Sequence, residues 1–186
     1  MEKEIVFEGD PVLRAIAKEV PRDLFGSKKL YDIIANMQRA LRNTEYGVAI
    51  AAPQIGVSYR IFLVRGFVMQ NNEKNDEDED VVFINPTIVR TSKATIEIDG
   101  EGCLSVPHIY GTVVRHEKVA VQAYDAQGKK FERGGSGLIA EIYEHEIEHL
   151  DGILFIDKAV NLREEIKKPT DNDEEEDNES TLKTHE

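Results

Sequence analysis

The chain has one cysteine, no apolar run near membrane length and no block of basic residues, and each shortage excludes a class of function. Cys103 stands alone, which excludes an internal disulfide and suits a reducing compartment. No apolar stretch approaches the ~20 residues needed to span a bilayer. The opening Met1-Glu2-Lys3-Glu4 is acidic, where a signal peptide has an apolar core and a transit peptide an Arg/Ser bias. The expectation is a cytoplasmic protein, or one of an organelle matrix if a presequence has been removed. Without a basic patch, direct binding to nucleic acid is not expected, and without an apolar span neither is binding to a membrane.

Acid, in contrast, is plentiful and local. The 186 residues carry a formal net charge of −13. Residues 71–80 hold six acids and one Lys, and residues 169–186 hold eight acids and one Lys; together they contribute −12 and leave about −1 for the rest. The body over 1–168 is therefore near neutral and of single-domain size. An exposed acidic loop over 71–80 interrupts it and an acidic tail over 169–186 follows, both expected to be disordered.

Apolar periodicity sets the expected elements. Asp10-Pro11 reads as an N-cap and first helical turn. Leu30, Ile33, Ile34, Met37, Ala40 and Leu41 fall on one face of a helix from about Lys28 to Asn43, which Gly47 ends. The small-residue run Gly47 to Gly56 reads as tight backbone near a ligand, and Tyr59 to Val64 as a buried strand. After the acidic loop, strands are expected over Val81–Asn85, Ile88–Ile98, Val113–Tyr124 and Lys130–Phe131. A second long helix follows Gly134-Gly135-Ser136-Gly137, then a strand over Ile153–Ile156 and a short helix over Leu162–Lys168. Helices and antiparallel strands mix without regular βαβ alternation, so the fold class is α+β.

One stretch carries chemistry on its face. Glu144-His145-Glu146-Ile147-Glu148-His149 contains H-E-x-x-H. On a helix, positions i and i+4 share a face, so His145 and His149 can hold one metal ion together. Glu146 lies ~100° around the helix, within reach of a metal-bound water without being a ligand. Two imidazoles do not complete a site. Cys103, in Glu101-Gly102-Cys103-Leu104-Ser105, is the only soft ligand in the chain, and beside such a helix it is the candidate third ligand. His108, His116 and His185 compete, but they read as a turn, a strand and the tail.

Three stretches together resemble the peptide deformylase family, whose motifs G-φ-G-φ-A-A-x-Q, E-G-C-x-S and H-E-x-x-H-L-x-G occur in this order. Here they stand as GVAIAAPQ, EGCLS and HEIEHLDG, with family-like flanks over roughly residues 5 to 168. The resemblance implies antiparallel sheets packed around a central metal-binding helix, and a hydrolase that releases formate from the N-terminal formyl-methionine of nascent peptides. It implies one divalent metal on Cys103, His145 and His149, typically Fe2+, with Zn2+, Ni2+ or Co2+ also fitting the ligands. It assigns Glu146 as general base and then proton donor to the amine. The Gln54 amide and the Leu104 backbone N–H become the oxyanion donors. The implied partner is an N-formylated peptide, met in association with the ribosome.

The chain departs from the family at its substrate-binding positions. Ala49, beside Val48, stands where the first motif has its second glycine, so a methyl faces the bound peptide. Asp99 and Glu141 stand where apolar residues hold the methionine. Unpaired carboxylates there disfavour an apolar guest, so pairing with Arg115 or a polar or cationic first residue becomes the expectation. Glu144 and Glu148 replace a glutamine and an aspartate. The alternatives are a diverged deformylase with a changed substrate and an inactive peptide-binding homologue. A metalloprotease with a distant third ligand is the weakest reading, since the cysteine motif argues against it.

Overall fold

The computed structural model describes residues 4–70 and 79–165. Eight strands run in chain order as β1 (Ala49–Ala51), β2 (Ile61–Val64), β3 (Val81–Thr91), β4 (Thr95–Cys103), β5 (Val106–His116), β6 (Lys118–Tyr124), β7 (Lys130–Ser136) and β8 (Val160–Glu164). They form two sheets, a five-stranded one ordered β1-β2-β3-β6-β7 and a three-stranded one ordered β4-β5-β8. Every pairing between these strands is antiparallel. The three α-helices are α1 (Lys28–Arg42), α2 (Gly66–Gln70) and α3 (Leu138–Leu150), and the class is the expected α+β.

Alternation along the central strands explains the layering. In β2, Phe62 and Val64 join the cluster that includes Ala140, Tyr143, Ile147 and Leu150 of α3, whereas Ile61 and Leu63 join the cluster formed with α1. Side chains of a strand point alternately to its two faces, so one sheet is covered by α3 on one side and α1 on the other. The apolar face of α1, Leu30 to Leu41, is the one read from its spacing. Ser27 accepts from the Leu30 N–H and caps it. Asp10 likewise accepts from the Val12 N–H at the start of a short 3-10 helix, Pro11–Arg14.

Several expected boundaries move, each for a visible reason. The helix expected from about Lys28 to Asn43 runs from Lys28 to Arg42 with Asn43 as its C-cap, and beyond it the Thr44 hydroxyl donates to the Leu41 carbonyl at 2.7 Å. β3 continues through Pro86 because Asn85, at φ 49°, opens a register shift that removes the need for the proline N–H. Expected as one strand, Ile88–Ile98 breaks where the Ser92 hydroxyl donates to the Ala94 carbonyl, and Val113–Tyr124 breaks between β5 and β6. Lys130–Phe131 lengthens to Ser136. The strand expected at Ile153–Ile156 is instead a turn and a 3-10 helix, Phe155–Asp157, in which Asp157 accepts from the Leu154 N–H. The helix expected from Leu162 is β8, paired through Tyr110 and Arg163 with β5; tertiary pairing overrides a weak helical preference here.

Residues 71–78 of the acidic loop and 166–186, including the acidic tail and His185, lie outside the described residues. Asp80, expected at the end of an exposed loop, is buried. It accepts from Gln38, Arg42 and the Gly66 N–H at 3.2, 3.1 and 3.3 Å, with the Arg65 guanidinium 3.8 Å away.

Candidate metal centre and its cleft

α3 leaves Gly137, at φ 56°, and closes on Gly152, at φ 76°. A Cβ at Gly152 would stand 2.6 Å from the Arg14 carbonyl oxygen, so only glycine permits this close turn. Between these ends the i, i+4 spacing places the His145 and His149 rings on one face, with centroids 4.9 Å apart. Cys103 closes β4, and the two-residue turn Leu104–Ser105 leads into β5 through the pair Cys103 and Val106. Gly102 before it lies against the Tyr110 ring, 2.7 Å from where a Cβ would be.

The turn delivers the Cys103 sulfur to 3.2 Å from His149 Nε2. One ligand atom each from Cys103, His145 and His149 lies within 4.8 Å of the others. One sulfur and two imidazoles within that span suit a divalent ion with an open fourth position. The histidine surroundings support the same fit. Glu101 Oε1 lies 2.7 Å from His145 Nδ1. A carboxylate only accepts, so Nδ1 carries the proton and Nε2 keeps its lone pair for a ligand bond. His149 Nδ1 is buried without a hydrogen-bond partner among the described residues.

Charge inside this site is not ordinary. Burial opposes a proton on His145, but the Cys103 sulfur and the Glu101 carboxylate outweigh it and hold the ring well above the usual imidazole range. Burial, then the neighbouring His145, push His149 well below that range. Glu146, 4% exposed, is pushed by burial up to about 7, with His145 opposing and Glu101 adding to the rise. Its Oε2 has no hydrogen-bond partner among the described residues. Such a carboxyl is poised to take and return a proton near neutral pH.

Behind the histidines lies a network that residue spacing did not reveal. Arg115, buried with Glu101, donates to both Glu101 oxygens at 2.9 and 2.6 Å and to Glu148 Oε1 at 2.6 Å. Lys158 reaches the same Glu148 oxygen at 2.5 Å. Glu101 was visible only as the first letter of a motif, and the one sign of its task was its place two residues before Cys103. Glu144 pairs with His116 at 2.7 Å, which takes that histidine out of the metal site.

The site opens into a cleft of about 640 Å³. Val48, Ala49, Gln54, Leu104, Glu141 and Glu146 all line it, beside Cys103 and His145, and so does His108. Among the described residues, no Lys or Arg lines it. Ala49 is buried in β1 and lines this wall. Glu141 is half-buried; burial raises its carboxyl above the usual range, Glu101 adds to this, and His145 and Arg115 partly offset it. It does not pair with Arg115, whose donors are taken by Glu101 and Glu148.

Asp99 departs from expectation. It does not line the cleft; it is exposed on the outer face of β4, accepting from Thr112 at 3.1 Å and Arg163 at 2.8 Å. Strand alternation places it opposite Thr112, and a register shift before Glu101 then turns Glu101 inward.

Comparison with known proteins agrees with this geometry. The polypeptide deformylase family model matches residues 2–165. A peptide deformylase of Pelotomaculum thermopropionicum is 41% identical over 166 residues, covering 89% of this chain and 96% of that protein. One from Halothermothrix orenii is 41% identical over 158 residues, covering 85% and 94%. Among solved structures, a peptide deformylase from Legionella pneumophila superposes with a TM-score of 0.75 at 40% identity, covering 87% of this chain and 88% of that one. The actinonin-bound class I type b peptide deformylase of Acinetobacter baumannii gives 0.75 at 33% identity, covering 86% and 99%.

Proposed function

The chain belongs to the polypeptide deformylase family, and from that premise we propose that Cys103, His145 and His149 hold its metal while Glu146 moves the proton of the reaction. The protein is a metal-dependent hydrolase that removes the N-formyl group from the N-terminal methionine of nascent peptides and releases formate. The observation that carries the site assignment is the convergence of three ligand atoms within 4.8 Å, two of whose residues, Cys103 and His145, line the cleft together with Glu146.

When bound, the divalent ion supplies Lewis acidity and brings the pKa of a coordinated water toward ~7. Glu146 Oε2, buried and without a partner, accepts the proton that the attacking water loses, and later delivers it to the amine nitrogen as the C–N bond breaks. The formyl carbon leaves as formate and the peptide gains a free N-terminus. Gln54 Nε2 and the Leu104 N–H donate to the carbonyl oxygen as it gains charge; each donor of this kind is worth ~3 kcal/mol in acyl transfer. Glu101, backed by Arg115, keeps His145 oriented. Val48, Leu104 and Ile142 supply apolar wall for the methionine side chain. The family pattern favours Fe2+ as the ion, and the donor set also accepts Zn2+, Ni2+ or Co2+. The same reading has the enzyme meeting its substrate at the ribosome, in the cytoplasm. Among the described residues no helix is long and apolar enough to cross a membrane.

Glu141, half-buried in the cleft and without a cationic hydrogen-bond partner among the described residues, favours a second reading in which a polar or cationic first residue is also accepted. One experiment addresses both. The protein, loaded anaerobically with Fe2+, is assayed for formate release from formyl-Met peptides and from formyl-Lys peptides. Release from the first series is expected. Glu146→Ala should lose turnover by about a thousandfold, on the scale of general acid–base catalysis combined with its positioning, while retaining metal. Full turnover in that variant would remove Glu146 from its role, and a wild type that releases no formate from either series would end the reading.

A further inference from the structure

Gln54 is held from two sides, and only one of them belongs to its own turn. Its side-chain oxygen accepts from the Ala51 backbone N–H at 2.8 Å. An N–H can only donate, so this contact settles which end of the amide faces inward and turns Nε2 toward the cleft. Nε2 has two hydrogens. It lies 3.2 Å from the Ser105 hydroxyl oxygen and 3.6 Å from the Cys103 sulfur. Ser105 is 0% exposed and Gln54 2% exposed, so bulk water does not compete for either group. The backbone on both sides is fixed by one segment: the Val6 N–H donates to the Gln54 carbonyl and the Glu8 N–H to the Ser105 carbonyl, each at 2.8 Å.

The terminal torsion of a glutamine is broad and roughly two-fold. A contact to the oxygen alone selects the amide's sense but leaves its plane free to swing. A second contact, on the nitrogen, fixes the plane. We propose that Ser105 is a positioning residue for the Gln54 amide: its hydroxyl oxygen takes one Nε2 hydrogen and thereby directs the other into the cleft, at the carbonyl oxygen of the formamide. That second hydrogen faces only the long contact to sulfur, which a closer oxygen acceptor displaces. Ser105 acts through Gln54, and the segment Val6–Glu8 holds the two turns in the register that makes their contact. The inference rests on the deformylase reading and on Gln54 as an oxyanion donor.

The test is a double-mutant cycle on the full-length, metal-loaded protein, with formate release from a formyl-Met peptide as the readout. Ser105→Ala is expected to lower kcat about tenfold, short of the full loss of an oxyanion donor, with KM changed less than about twofold and metal content unchanged. In a Gln54→Ala background the same substitution is expected to cost nothing further, because the group it positions is gone. Ser105→Thr, which keeps the hydroxyl, should recover most of the lost kcat. Ser105→Cys, close in size and a poorer acceptor, replaces alanine in the cycle should that variant not fold. An equal loss in both backgrounds would make Ser105 a structural residue and overturn the inference, as would wild-type kcat in Ser105→Ala. A wild type without formate release would instead overturn the function itself, so the two failures are distinguishable.

Discussion

Glu101 serves two partners with one carboxylate: it accepts from the buried Arg115 and from His145 Nδ1. Burial opposes its charge, but the hydrogen bond from His145 and then the Arg115 guanidinium outweigh it and keep the carboxylate ionised; as an acceptor it sets the His145 tautomer. Glu101→Gln keeps the shape but not the charge. Its expected effect is a 10- to 100-fold loss of metal affinity, the usual cost of removing such a partner, measured by chelator competition. A denaturant titration should show a stability loss of about 3 kcal/mol, since the buried Arg115 then keeps, among the described residues, only the part-buried Glu148 as a counterion. Unchanged metal affinity would show that the His145 tether is incidental. Glu141 makes the opposite kind of claim, being a carboxylate without such a partner. Glu141→Leu should lower KM for formyl-Met peptides several-fold, because a half-buried carboxylate at the cleft wall disfavours an apolar guest, and should abolish any turnover of formyl-Lys peptides. The convergence of Cys103, His145 and His149 was legible because the H-E-x-x-H spacing is local and the chain has one soft ligand, whereas Gln54 was reached only through the family resemblance. Asp99 was misplaced because its side is set by a register shift between β4 and β5, a long-range fact that no local window contains.

At the level of elements, the same division holds. α1 and α3 could be read from the sequence because a helix writes its buried face at a period of 3.6 residues. β8 could not, since five exposed residues become a strand only by pairing with β5. The buried end of the acidic stretch was equally hidden: composition marks Asp80 as one of six acids, whereas its task depends on α1, α2 and the start of β3 meeting around it. Its carboxylate, 1% exposed, accepts the first N–H of α2 and two side-chain donors of α1. Asp80→Asn leaves the Arg65 guanidinium, itself 3% exposed, without that charge nearby. Losing one partner of a buried ion cluster costs about 3–5 kcal/mol. Thermal unfolding of the variant should therefore fall by roughly 6–20 °C for a domain of this size, with kcat of the folded fraction unchanged. A shift below a degree or two would return Asp80 to the exposed loop in which composition had put it.

Across the whole molecule, the proposed metal site joins two structural layers rather than sitting within one. Cys103 comes from the end of β4 in the three-stranded sheet and the two histidines from α3, which packs chiefly against the five-stranded sheet. Unfolding separates these layers, and the unfolded chain has no preformed site, so binding free energy becomes folding free energy. At a free metal concentration 100-fold above Kd this linkage contributes about 2.7 kcal/mol, equivalent to roughly 5–11 °C in Tm for a chain of 150–250 residues. Removing the ion with a chelator under anaerobic conditions should lower Tm by that amount, and returning Fe2+ or Zn2+ should restore it in a concentration-dependent way. Cys103→Ser should lower the apo protein's Tm little while flattening its response to metal, because it weakens a ligand and leaves the apolar contacts of the two layers in place. Glu146→Ala should keep the full metal-dependent rise, since Glu146 is not a ligand in this assignment. A Tm indifferent to metal in the wild type, with metal demonstrably bound, would mean that the unfolded chain holds the ion as well as the folded one, and the bridge between the layers would then contribute nothing to stability.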